Sequence, residues 1–410
     1  MTKSGYKMTE IGEIPEEWEV VYMGNDKVSR IIMGQSPPSS FYNTSNEGIL
    51  FLQGNADFGE IYPNSSIYCT KPVKVAEEGD ILLSVRAPVG ELNISAFRCI
   101  IGRGLAAIRC KDKKTYSKYL YYYLKYNANR LRSLSSGSTF KAVGKDILAH
   151  FEISLPPLPE QQKIAEILST ADEAIQRVND QIAQTERLKK GLMQTLLTKG
   201  IGHTKFKMTE IGEIPEEWPL KTFEEVLQIR KRKSLGKLEK FYIIPMELIS
   251  ENGIYCGYSP LKENEVLPPT YCESGDILLP KITPSVENGK QGIVPILPSG
   301  HAFATSEVYP LVTRDSLTNI FAFYLLKLGL LRKPLIDSMI GTTGRQRIPK
   351  ESLFSLSVPT PPLPEQQKIA EILMTVDDKL KLLTSKREYL EKLKKGLMGD
   401  LLTGRVRVKV

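Results

Sequence analysis

Three histidines, His150, His203 and His301, and five cysteines are the side chains best suited to acid–base, nucleophilic or metal chemistry. Their spacing argues against it. The histidines are scattered without ligand spacing, and Cys69, Cys99, Cys110, Cys256 and Cys272 form an odd set with no C-x-x-C. That fits reduced thiols better than a disulfide framework or a zinc site. Holding a flipped adenine for methylation would need an N/D-P-P-F/Y/W motif, and the tempting pair Pro37-Pro38 follows Ser36 and precedes Ser39. Neither G-x-G-x-x-G nor G-x-x-x-x-G-K-S/T occurs, so dinucleotide and P-loop chemistry are not indicated. Asp112-Lys113-Lys114 imitates a nuclease D-x-K, but it sits in a charge run with no convincing upstream acid.

No reactive constellation is left, and the net charge of +8 invites nucleic acid as a partner, met by side-chain hydrogen bonds. A DNA sequence is read in the major groove chiefly by Arg on guanine and by Asn or Gln on adenine. Phosphate contacts from Lys, Arg and small polar residues position a protein without specifying a sequence. Candidates for both roles lie in Gly- or Pro-rich loops. In the first half they are Gln53, Asn55, Arg86, Arg103, Lys141 and Lys145. In the second they are the run Arg230, Lys231, Arg232, Lys233, then Lys281, and Arg345 and Arg347 of GTTGRQR. Residues 20–150 carry 17 Lys/Arg against 10 Asp/Glu, and residues 228–350 carry 16 against 11. Such surpluses suit phosphate contact but also ordinary solvated surfaces. The tyrosines of 119–126 could suggest base stacking. Instead Tyr116, Tyr119, Leu120, Tyr123 and Leu124 share one helical face, so core packing is the better account.

The elements that must position these residues are written twice. Lys7–Trp18 and Lys207–Trp218 both read KMTEIGEIPEEW, and Pro156–Leu168 and Pro361–Leu373 both read PPLPEQQKIAEIL. Leu188–Met193 and Leu393–Met398 are both LKKGLM. Between these anchors the copies diverge but keep landmarks, such as GDILL at 79–83 and again at 275–279, each a short strand after a turn. Helix-like stretches follow at Tyr116–Leu134 and Asn319–Ser338. One fold used twice with rewritten loops is the economical reading. The chain divides into variable domains at 1–155 and 206–360 and conserved helical segments at 156–205 and 361–410.

Both helical segments show apolar residues at alternating steps of four and three. The first has Ile164, Leu168, Ala171, Ile175, Val178, Ile182 and Thr185; the second has Ile369, Leu373, Val376, Leu380 and Leu383, then Arg387 and Leu390. This is a coiled-coil seam. Gly200 and Gly404 stand where C-terminal caps belong. Connectivity makes the pair antiparallel, because the second domain begins near the end of the first helix and the second helix must run back. The expected fold class is α+β: two mixed α/β domains in tandem, joined by two long helices in an antiparallel coiled coil with pseudo-twofold symmetry. The basic tail Arg405–Val410 is expected near the N-terminus.

The doubled P-P-L-P-E-Q-Q-K-I-A-E-I-L segment after each variable domain, with L-K-K-G-L-M-x-x-L-L-T at Leu188–Thr198 and Leu393–Thr403, resembles the specificity subunit of type I restriction–modification systems. The resemblance covers the whole chain. It implies a non-catalytic subunit that binds double-stranded DNA, each recognition domain reading one half of a bipartite, asymmetric target. It implies two adenine-N6 methyltransferase subunits and motor-nuclease restriction subunits as partners. S-adenosylmethionine, ATP and magnesium would then be held by those partners, with no cofactor or metal on this chain. Pro159, Glu160, Gln161, Gln162 and their copies Pro364, Glu365, Gln366, Gln367 match the family's helix starts. Docking of the methyltransferase there and plain helix capping account for them equally. No run of about 20 apolar residues offers a membrane span, and a cytoplasmic location is expected. An all-in-one enzyme with a degenerate site, and a scaffold whose end domains bind proteins, remain open to the sequence alone.

Overall fold

The computed structural model describes residues 4–111, 113–133, 142–233, 241–261, 267–342 and 344–409. Its contacts divide the chain into two units, 1–179 with 386–410, and 180–385. Each unit therefore holds one recognition domain, the beginning of the long helix that follows it, and the end of the other long helix.

In unit 1 an antiparallel four-stranded sheet runs in the order Leu92–Ile94, Ile81–Ser84, Leu105–Cys110, Ser29–Met33. A second sheet contains Cys99–Ile101 between Ile49–Leu52, to which it is parallel, and Val75–Ala76. The GDILL segment is buried along its whole strand, as expected of an apolar run packed on both faces. Gly79 before it has φ +83°, a conformation that only glycine adopts cheaply. Unit 2 repeats the plan. One sheet runs Leu227–Ile229, Val308–Thr313, Ile277–Pro280, Gly292–Ile293, and another pairs Tyr242–Ile244 parallel to His301–Ala304.

The expected single helices over 116–134 and 319–338 are each two: Ser117–Tyr126 and Ala128–Ser133, then Asn319–Lys327 and Gly329–Asp337. In the first copy Asn127 donates its side-chain amide to the Tyr123 carbonyl at 2.9 Å, a local bond that competes with helix propagation. Tyr119, Leu120, Tyr123 and Leu124 are buried as expected, and so are Tyr121 and Tyr122. The helix is thus enclosed on more than one face.

The long helices span Leu158–Lys199 and Leu363–Leu401. Ile164, Leu168, Ile175, Val178 and Thr185 are buried, as are Ile369, Leu373, Val376 and Leu383. Gly200 and Gly404 follow them with φ +66° and +71°. Within each unit the two helix portions run in opposite directions. In unit 1 Asp172 pairs with Lys394 and the earlier Glu160 with the later Arg407. In unit 2 Asp377 pairs with Lys189 and the earlier Glu365 with the later His203. Among the described residues no helix is long and apolar enough to cross a membrane.

Candidate nucleic-acid interface

The repeated anchors turn out to be partners of one another. Trp18, fully buried, donates its indole N–H to Glu160 at 3.1 Å, and Trp218 donates to Glu365 at 3.0 Å. Gln161, also fully buried, donates to the carbonyls of Lys114 and Pro156 and accepts from the Tyr116 amide. Gln366 repeats this with Ser316, Pro361 and Thr318. Arg407 in the tail binds Glu160 and Glu17, and the Tyr6 hydroxyl donates to the Gly404 carbonyl at 2.8 Å. The tail thus meets the N-terminal segment, as expected. The side-chain oxygens and nitrogens of Glu160, Gln161 and Gln366 all have partners, which is what allows a Glu and a Gln to sit in the interior; the Thr318 hydroxyl beside Gln366 is buried without one.

This corrects one expectation. Glu160, Gln161 and Gln366 are buried and bonded internally, and Glu365 is half-buried with Trp218, Ile201 and His203 as partners. They fasten the recognition domain to its helix rather than offering a docking surface. Of the docking candidates, Pro159, Gln162, Pro364 and Gln367 are exposed.

A second repeated device lies deeper along the helices. In unit 2 Tyr324 donates to Asp377 at 2.7 Å, and Asp377 pairs with Lys189. In unit 1 Tyr122 donates to Asp172 at 2.7 Å, and Asp172 pairs with Lys394. Burial, with the neighbouring aspartate, raises both phenols well above the usual tyrosine range. Each triad borders a cleft. The unit 2 cleft, about 1180 Å³, is lined by Ile254, Lys327 and Leu380 among others, and the unit 1 cleft, about 430 Å³, by Ile61, Lys125 and Ile175.

The expected DNA contacts gather at strand ends. In unit 1 the Val85 amide donates to the Gly104 carbonyl, Gly102 to Leu52, and Gln35 to Ile101, each at 2.8–2.9 Å. Val143 then donates to Val85 at 2.9 Å. These bonds tie several loops into one edge, which carries Gln53, Arg86 and Arg103, all exposed, with Asn55 half-buried nearby. The Asp57 carboxylate accepts from the Gln53 and Gly54 amides at 2.6 and 3.3 Å and so fixes the backbone that carries Gln53. Lys145 is exposed in the first turn of the helix Lys145–Ala149. Lys141 and Asp112 lie outside the described residues.

Unit 2 builds the same edge. Lys281 donates to the Glu307 carbonyl, Thr305 to Ile244, and Ile348 to Lys281, at 3.0, 3.2 and 2.7 Å. Lys281 thus stands in the frame where unit 1 has Val85, and Arg347 where it has Ala142. The frame is shared and the side chains are rewritten. Arg345 and Arg347 are exposed there, and Lys281 is half-buried with its ammonium 4.8 Å from the Tyr309 ring centre.

The Arg230–Lys233 run, a candidate for DNA contact, is largely engaged within the fold. Arg230 is bonded to Asp276 and Glu273, Lys233 pairs with Glu273, and Arg232 lies over the Phe303 ring. The bonds to Asp276 raise the Arg230 pKa. Asp276 also accepts from the Glu273 amide, so the cluster secures the turn before the central strand. Asp80 secures the same turn in unit 1, and there its arginine is Arg109 from a different strand. Lys231 is exposed. The clasps and this turn escaped sequence reasoning. The signal was available in a Glu-Gln pair repeated identically in one anchor and a Trp repeated in another, which is unusual for solvated positions.

The chain matches the type I restriction modification DNA specificity domain twice, over residues 15–187 and 215–392. It is 31% identical to the type I restriction enzyme MjaVIII specificity subunit of Methanocaldococcus jannaschii, over 97% of this chain and 94% of that one. A 193-residue stretch is 50% identical to that organism's provisionally named MjaX specificity subunit, covering 47% of this chain and 45% of the relative. Among solved structures, the S subunit of the type I restriction–modification system of M. genitalium superposes with a TM-score of 0.60 at 16% identity, over 98% of this chain and 99% of that one.

Proposed function

The chain belongs to the type I restriction–modification DNA specificity family, a family of recognition rather than catalytic subunits, and from that membership we propose that it reads a bipartite, asymmetric duplex target. Each unit reads one half-site through its strand-end edge. The observation that carries this reading is the shared frame with different side chains: Gln53, Arg86 and Arg103 on one edge, Lys281, Arg345 and Arg347 on the other. Two unlike reading surfaces on one scaffold suit a target whose halves differ.

In the same proposal two adenine-N6 methyltransferase subunits and motor-nuclease subunits assemble on this chain in the cytoplasm and carry S-adenosylmethionine, ATP and magnesium. Two copies of one partner require two equivalent surfaces. The paired clefts beside Asp172 and Asp377, lined by corresponding residues, meet that requirement, as do the exposed residues of the two helix starts. The long helices set the spacer between half-sites.

The reading is tested by assembling the chain with its methyltransferase and mapping methylated adenines on genomic DNA. Two unlike short sequences at a fixed separation are expected. Methylation without sequence preference, or a single uninterrupted site, would contradict it. Affinity for random duplex should also fall steeply with salt, since phosphate contacts release counterions.

A further inference from the structure

One hairpin in unit 2 has a more specific form than its neighbours. Ile340 and Arg347 exchange both backbone hydrogen bonds, at 3.0 and 2.9 Å. On its other side the returning strand is tied to the central sheet, Thr283 donating to the Gln346 carbonyl and Ile348 to that of Lys281. The turn is tightened by Arg345 donating to Thr342 at 2.9 Å. Gly341 and Gly344 have φ +131° and +80°, and a Cβ on Gly341 would come within 2.7 Å of the Arg345 carbonyl oxygen. The result is a narrow antiparallel hairpin whose returning strand is hydrogen-bonded on both sides.

Its side chains are the reverse of secured. Ile340 is 56% exposed, Arg345 and Arg347 are exposed, and among the described residues neither arginine enters an ion pair. At the root, burial and the nearby charge of Arg347 lower the Lys281 pKa, opposed by Glu307. A half-buried lysine with an exposed arginine on the adjacent strand favours an anion between them. The major groove of B-DNA admits a two-stranded ribbon, in which Arg pairs with guanine O6 and N7 and an apolar group meets the thymine methyl.

Resting on the half-site reading above, we propose that this hairpin is the base-reading finger of unit 2. Arg345 reads a guanine and Ile340 meets a thymine methyl in the major groove, while Lys281 and Arg347 at the root hold a phosphate. The division follows the rule that phosphate contacts position and base contacts specify.

The test is selection of binding sites from a random duplex pool by the complex assembled with its methyltransferase, comparing wild type with Arg345→Ala, Arg345→Lys, Ile340→Ala and Arg347→Ala. Arg345→Ala should lose about 10–100-fold discrimination at one guanine of one half-site, with the other half-site unchanged. Arg345→Lys should recover binding to random duplex but not that discrimination, which separates a lost contact from a lost fold. Ile340→Ala should lose preference at a single thymine, and uracil there should mimic it with wild-type protein. Arg347→Ala should weaken all sequences alike and reduce the salt slope by about 1. If wild type selects two half-sites but Arg345→Ala changes none of their positions, the hairpin assignment falls while the half-site reading stands. If the variants lose assembly with the methyltransferase and keep their base preferences, the hairpin belongs to a protein interface and the proposal is overturned. If wild type selects no half-sites, the broader reading fails first.

Discussion

Glu160 holds two donors, the Trp18 indole and the Arg407 guanidinium. Glu160→Ala leaves a buried N–H unpaired, and the cost should be about 1–3 kcal/mol, seen as a lower unfolding midpoint. Glu160→Gln, which keeps the Trp18 bond, should cost less. Equal losses would mean that the charge on Arg407, not the buried indole, dominates the clasp. Lys327 poses the opposite problem. Burial, with Lys189 and Arg332 nearby, lowers its pKa from 10.5 to about 8, against the pull of Asp377 and Glu251. The folded chain therefore binds this proton less readily than the unfolded chain. The cost to stability is fully present below about pH 8 and fades as pH rises toward 10.5. Lys327→Met should raise the unfolding midpoint at pH 7, with the gain shrinking between pH 8 and 10. A gain that is flat across that range would exclude the charge as its source. Residues of this kind were not legible in the sequence. The distance along the chain from Trp18 to Glu160, or from Lys189 to Asp377, hides the pairing, and only the identity of the repeated motifs hinted at it.

Elements were legible where their signal was local. The alternating four-and-three seam marked both long helices to within a few residues, because helix register depends on neighbours a turn away. The break at Asn127 was not legible, since the side-chain bond made there is one that many asparagines do not make. The strand-end edge was legible only as loops rich in Gly and charge. That the loops after Leu52, Ser84 and Ile101 share one edge depends on non-local pairing. The helix ends supply a prediction. Gly200 has φ +66°, and a Cβ there would come within 2.5 Å of Trp218 and of the Glu365 carboxylate. Gly200→Ala should therefore destabilise the protein by more than about 1 kcal/mol, beyond the usual cost of alanine at positive φ. Gly191→Ala, where a Cβ meets nothing within 4 Å, should be neutral or stabilising in the same unfolding measurement.

At the scale of the whole molecule, each unit combines the start of one long helix with the end of the other. We propose that these shared helices set the spacer. Removing one heptad from each, Ile175–Gln181 with Leu380–Lys386, preserves the seam and shortens each helix by about 10 Å. That corresponds to roughly 3 bp of duplex and nearly a third of its turn, whereas the deletion rotates the helix by only about 20°. The variant should keep both half-site sequences and prefer a shorter spacer, or bind weakly, on probes of graded spacing. Unchanged spacer preference at full affinity would remove the helices as the ruler. If each recognition domain reads its own half-site, exchanging one domain changes one half of the target alone. Residues 219–355 are replaced by the matching region of a relative, which leaves Trp218, Glu365 and Gln366 in place. The chimera is assembled with its methyltransferase, and its methylated sites are mapped. One half of the target should change and the other should remain as in wild type, whereas a change in both halves would contradict the account.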